Sequence, residues 1–146
     1  MLYSRSAEYA IRAFVHMAQA PEGKFCMARS IAEREQIPAH FLAKILQDLA
    51  RKGLLRSNKG PAGGFALRVP ASQIRLLDIV EALDGQALAQ SAAQLPWVLD
   101  NWKALHSRIM ESLGQNTVAD VARALAAQKA AQERGRKARR PAGAKR

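Results

Sequence analysis

Between Ile37 and Arg68 the chain changes hydrophobic period once, and that change limits the folds open to it more than any other feature. Phe41, Leu42, Ile45, Leu46 and Leu49 recur at the three-to-four spacing of an amphipathic helix. This helix opens on Pro38, whose missing N–H a first turn tolerates, and stops at Gly53. Leu54-Leu55-Arg56-Ser57 and Phe65-Ala66-Leu67-Arg68 follow as two short strands joined by a loop that contains Gly60, Gly63 and Gly64. Upstream, Ala28, Ile31 and Ala32 mark a short helix that turns Arg29, Glu33 and Arg34 outward and ends near Gln36. Two helices across a tight turn, followed at once by a glycine-rich hairpin, form the pattern of a winged helix-turn-helix. The expected fold class is mainly α with one small β-hairpin.

The flanking segments are helical by the same reasoning. Ala7, Tyr9, Ala10, Ala13, Phe14 and Met17 give an amphipathic helix over Ser6–Ala20, ended by Pro21-Glu22-Gly23. Leu76, Leu77, Ile79, Val80 and Leu83 predict a helix closed by Asp84-Gly85, after which an Ala/Gln-rich linker runs from Gln86 to Gln94. Val98, Trp102, Leu105, Ile109 and Leu113 then fall at spacings of four, three, four and four, one apolar stripe on a long helix. So long a stripe in so short a chain calls for a partner. Thr117 can cap a last helix with an apolar face of Val118, Val121 and Leu125. The expected organisation is a DNA-binding domain over 1–85, a linker and dimerisation helices over 86–128, and a basic disordered tail over 129–146.

Charge supports a nucleic-acid partner. Residues 1–68 hold eleven Lys and Arg against five Asp and Glu, residues 129–146 hold eight against one, and the stretch between them is mildly acidic. Cationic blocks of this kind attract polyanions by counterion release. No apolar run approaches the roughly 18 residues that cross a bilayer, and Glu8, Arg12 and His16 break the first apolar stretch. The expectation is a cytoplasmic chain with no membrane partner.

Double-stranded DNA would be met by Arg29 on the supporting helix and by Pro38, Ala39, His40, Ala43 and Lys44 on the first turns of the recognition helix. Arg51, Arg56, Lys59 and Gly60 extend the surface to the end of that helix and the wing, with Arg34 and Lys52 nearby. His40 and Lys44 are the candidates for base readout. A phosphate-cradling loop is the lesser alternative for the glycine loop, which joins strand to strand and lacks the Walker Lys-Ser/Thr pair and a following helix. His16, His40 and His106 fall on separate helices with no nucleophile or paired carboxylate at catalytic spacing, so no enzyme is expected. The rival readings are a non-specific nucleic-acid-binding protein acting through the basic tail and an adaptor that keeps only the dimer.

Taken in order, Glu8-Tyr9-Ala10-Ile11-Arg12-Ala13, Ile31-Ala32, Ile37-Pro38-Ala39-His40-Phe41-Leu42, Leu54 through Phe65 and Leu76 through Gly85 resemble the Rrf-two family of bacterial winged-helix transcriptional regulators (IscR-, NsrR- and CymR-like). The similarity spans roughly residues 1–125. It implies a homodimer with crossed long helices on a palindromic operator, most often as a repressor. It also implies, for many members, an iron–sulfur cluster held by three cysteines between the fourth helix and the long helix. Here Gln86–Leu99 holds neither cysteine nor histidine, and Glu8, at a position some relatives use as a ligand, cannot replace soft thiolates. No cofactor or metal is therefore expected.

Two features are left for regulation. Cys26, the single cysteine, is a possible redox sensor or a small buried apolar residue. Trp97 and Trp102 line a pocket for a small-molecule effector or anchor the dimer core.

Overall fold

The computed structural model describes residues 3–93 and 99–138, with side-chain surroundings for those outside 87–103. In chain order the elements are α1 (Arg5–Ala18), α2 (Ala28–Glu35), α3 (Ala39–Arg51), β1 (Leu55–Asn58) and β2 (Gly64–Leu67). A short 3-10 turn (Ala71–Gln73), α4 (Leu76–Ala93), α5 (Leu99–Gln115) and α6 (Val118–Ala138) complete them.

α1 is the spine of the core. Its buried stripe, Ala10, Ala13, Phe14 and Met17, packs with Ile31 and Ala32 of α2, Leu42, Leu46 and Leu49 of α3, and Leu55 and Phe65 of the hairpin. Ile79 of α4 and Val118 of α6 close the same cluster. Ser4 starts α1 by accepting the Ala7 N–H at 3.1 Å. The Asp84 carboxylate, buried on α4, in turn accepts both the Ser4 N–H and its hydroxyl at 2.6 Å each. One acidic side chain thus locks the first turn of α1 to α4.

The α2–α3 turn is set by Gln36, which lies in the left-handed region at φ 56°, and by Pro38 after it. Ile37 between them is buried, so the turn is anchored in the core as well as bent. The hairpin pairs Leu55 with Leu67 and Asn58 with Gly64 in antiparallel register. Its strands begin and end within one residue of the expected positions, because the Leu54 N–H closes the end of α3 on the Leu49 carbonyl.

Two expectations require correction. α4 does not close at Asp84-Gly85 but runs on to Ala93, so Gln86–Ala93 is helix rather than linker. A glycine inside a helix costs only about 1 kcal/mol relative to alanine, and the Ala, Leu and Gln that follow are good helix formers. Likewise α6 is helical to Ala138, beyond residue 129 where a disordered tail was expected to start. A reciprocal cap starts it: the Thr117 hydroxyl accepts the Asp120 N–H while Asp120 accepts the Thr117 N–H and hydroxyl. α6 then buries Val118 and packs Val121, Ala122 and Leu125, each half-buried, against the core within the same chain. Residues 139–146 of the basic segment lie outside the described residues.

Candidate nucleic-acid interface

α3 buries Leu42, Ile45, Leu46 and Leu49, and the opposite side of the helix is open. His40, Lys44, Gln47 and Arg51, spaced by four, three and four, form one exposed stripe along it. Lys44 has no carboxylate partner among the described residues, whereas Arg51 reaches Asp48 at 3.4 Å. Lys52, expected nearby, is engaged elsewhere: its ammonium pairs with Asp48 at 2.9 Å and donates to the Ala82 carbonyl of α4. The Asp48 carboxyl lies below the usual carboxylate range, first because of the hydrogen bond from Lys52. Pro38 and Ala39 are exposed at the start of α3 and Ala43 is half-buried, so the first turns present a low surface beside His40 and Lys44.

Gln47 is the residue that the sequence reading missed. Its amide can both donate to and accept from a base edge. The signal was present as the four-three-four spacing with His40, Lys44 and Arg51.

The wing stands on backbone constraints. Gly60 has φ 105° and Gly64 φ 141°, both in territory that side chains rarely enter. A Cβ at Gly63 would overlap the Asn58 carbonyl oxygen, and one at Gly64 the Cys26 carbonyl. Lys59 is exposed at the tip beside Gly60. Cys26 adds a third short edge to the hairpin, since its N–H and carbonyl exchange hydrogen bonds of 2.8 Å with Phe65.

The remaining candidates are placed apart from the α3 stripe. Arg29 on α2 is exposed and pairs with Glu33 at 3.1 Å. Arg56 lies with its guanidinium 5.5 Å from the centre of the Phe25 ring, facing the α1–α2 connection. Glu8 is exposed in the first turn of α1, where a carboxylate favours the helix N-terminus, and approaches Arg12 at 3.9 Å. The Cys26 thiol is half-buried, and burial pushes it above its usual range against the opposing pull of Lys24. On α5, Leu105 is 47% exposed while Ile109 and Leu113 are half-buried, leaving an apolar side chain on the outer face. Trp102 belongs to α5, and Trp97 and Val98 lie outside the described residues. No helix among the described residues is long and apolar enough to cross a membrane.

This geometry has close counterparts. A family model described as "Rrf2: Iron-dependent Transcriptional regulator" matches residues 3–124. A protein of Mycobacterium tuberculosis strain H37Rv that carries the name of an HTH-type transcriptional regulator is 34% identical over 131 residues, 84% of this chain and 81% of its own length. The crystal structure of the oxidised form of Staphylococcus aureus CymR superposes with a TM-score of 0.69 at 28% identity, covering 84% of this chain and 96% of that one. A structure of T. potens IscR does so at 0.65 and 25%, covering 84% and 86%. These relatives are transcriptional regulators, not enzymes.

The family description names iron, and the donors available here do not suit a thiolate-ligated cluster. The one cysteine of the chain has its backbone tied to Phe65 at the base of the wing, and no group of three His, Cys, Asp or Glu among the described residues could hold a metal ion. With its exposed recognition helix, its wing and a match over residues 3–124, the chain belongs to the Rrf2 family of transcriptional regulators.

Proposed function

We propose that this chain is a sequence-specific DNA-binding repressor that acts as a homodimer on a palindromic operator and needs no iron–sulfur cluster. The observation that carries the reading is the α3 stripe of His40, Lys44, Gln47 and Arg51, turned away from the core on a helix whose N-terminus is free to enter a major groove. Lys59 at the wing tip supplies charge beside it, and the glycines let that backbone approach a phosphate or a narrow minor groove closely. Dimerisation through α5 is supported by Leu105, whose exposed leucine side chain continues the spacing of Ile109 and Leu113. Such a protein works where operators are, in the cytoplasm. It makes on the order of six to ten phosphate contacts per dimer, so its affinity falls steeply with salt.

The test is selection of genomic fragments with purified full-length protein, alongside sedimentation to obtain the mass in solution. A two-fold symmetric motif bound by a species of twice the chain mass supports the reading. Binding without sequence preference refutes it, and would transfer the function to the basic residues from Lys129 onward.

A thiol switch at Cys26 is the second reading. A structural neighbour, Staphylococcus aureus CymR, has been solved in an oxidised form. Cys26 here is hydrogen-bonded through its backbone to Phe65 of the wing, a path by which oxidation can reach the DNA-facing hairpin. Against it stands the raised thiol, which keeps the less reactive protonated form at neutral pH. Cys26→Ser decides between them: DNA binding that still responds to peroxide in this variant removes Cys26 as the sensor.

A further inference from the structure

Behind the helix-turn-helix, a cleft of about 620 Å³ opens between the end of α1, the connection into α2, α2 itself and α6. Lys24 of the connection, Arg34 of α2 and Lys129 of α6 line it, three cations from three separate elements. None of them has a carboxylate within ion-pair distance among the described residues. The carboxylate on the wall, Glu35, is already engaged by His16 at 3.2 Å and Arg12 at 3.7 Å, so it does not neutralise the three. Ser30 adds a hydroxyl. Converging cations without a counter-charge raise the local potential and concentrate anions. The volume falls within the roughly 300–1,000 Å³ of small-molecule sites.

We propose that this cleft binds a small soluble anion carrying two or more negative charges on phosphate-type oxygens. One charge would satisfy one cation. Several oxygens on one molecule bridge cations from different elements, and that bridging gives the site its selectivity over chloride. The same oxyanion chemistry exists on a DNA backbone, and the DNA affinity of Arg34→Gln without added ligand distinguishes the two sources. Arg34, which the sequence grouped with the DNA-facing charges, is thereby reassigned. Because α2 is the supporting helix of the helix-turn-helix, a ligand that joins it to α6 is positioned to alter DNA affinity. That consequence rests on the proposed DNA reading, but the binding itself does not.

Isothermal titration of the full-length protein with inorganic pyrophosphate, without DNA and at fixed ionic strength, tests the site. The expected result is one pyrophosphate per chain, weakened about tenfold or more by Arg34→Gln and by Lys129→Gln, which is the loss of roughly one charge-assisted contact. Both side chains are exposed, and circular dichroism checks that each variant is folded. No binding to wild type, or equal binding to both variants, overturns the proposal. So does a loss of DNA affinity in Arg34→Gln without pyrophosphate as large as that in Lys44→Ala, which would assign the cleft to the DNA backbone.

Discussion

Removing the Asp84 carboxylate should cost the fold more than any other single change at a polar side chain of the α1–α4 contact. Asp84 is 8% exposed and accepts two hydrogen bonds from Ser4, from the N–H and from the hydroxyl, each at 2.6 Å. Hydrogen bonds to a charged group contribute about 1.5–3 kcal/mol each. Ser4 is only partly buried and can regain water, so the lower end applies, giving about 3 kcal/mol for the pair. The Ser4 hydroxyl also caps the Ala7 N–H, and losing its orientation adds up to about 1 kcal/mol. Asp84→Ala should therefore lower stability by about 3–4 kcal/mol, a fall in Tm of roughly 6–16 °C for a chain of this size. Asp84→Asn, which keeps one oxygen acceptor, should lose about half as much. Urea unfolding followed by circular dichroism measures both, with Glu81→Ala on the exposed side of α4 as a control expected within about 0.5 kcal/mol of wild type. Ser4→Ala closes a double-mutant cycle. If Asp84→Ala stays within about 0.5 kcal/mol of wild type, or if the two substitutions add without coupling, Asp84 does not hold α1.

Other outcomes follow from the same geometry. Gly64→Ala places a methyl against the Cys26 carbonyl at φ 141°, so it should destabilise by about 2 kcal/mol or more and weaken DNA binding through the wing; a Tm unchanged from wild type contradicts the constraint. Lys59→Ala should weaken all DNA sequences alike and shallow the salt dependence by about one ion, whereas Gln47→Ala should relax sequence preference with little change in salt slope. Titrations at several salt concentrations separate the two. Asp48 and Asp120 are held below the usual carboxylate range, Asp48 first by the hydrogen bond from Lys52 and Asp120 first by the Thr117 N–H. A carboxyl that binds its proton more weakly folded than unfolded contributes stability above the usual carboxylate range and loses it as pH falls through its folded value. The start of α6 should thus loosen in acid, and Asp120→Asn should flatten the acid limb of a stability-pH curve.

Much of the fold could be read along the chain because its signals are local. The apolar spacing of Phe41 to Leu49, the three glycines of the hairpin and Pro38 each act within one turn or one loop, and the structure has the elements they predict. The end of α4 could not be read that way. Asp84-Gly85 looks like a stop, yet Asp84 faces inward onto Ser4, 80 residues earlier, and the helix continues. A side chain that serves as a local cap in one setting serves as a long-range clamp in another, and only the partner decides which. Lys52 and Arg56 show the same limit: as charges near a recognition helix they look alike in sequence, but Lys52 is drawn to Asp48 and Ala82 and Arg56 to Phe25.

The sequence alone therefore determined the helix-turn-helix, the wing and the lack of a thiolate set, because periodicity, turn chemistry and a count of cysteines need no knowledge of distant contacts. Tertiary structure decided which charges remain open. It lined His40, Lys44, Gln47 and Arg51 along one exposed face and turned α6 back onto α1. It also gathered Lys24, Arg34 and Lys129 around one cleft. Electrostatic roles depend on distance through space, and separation along the chain does not encode it.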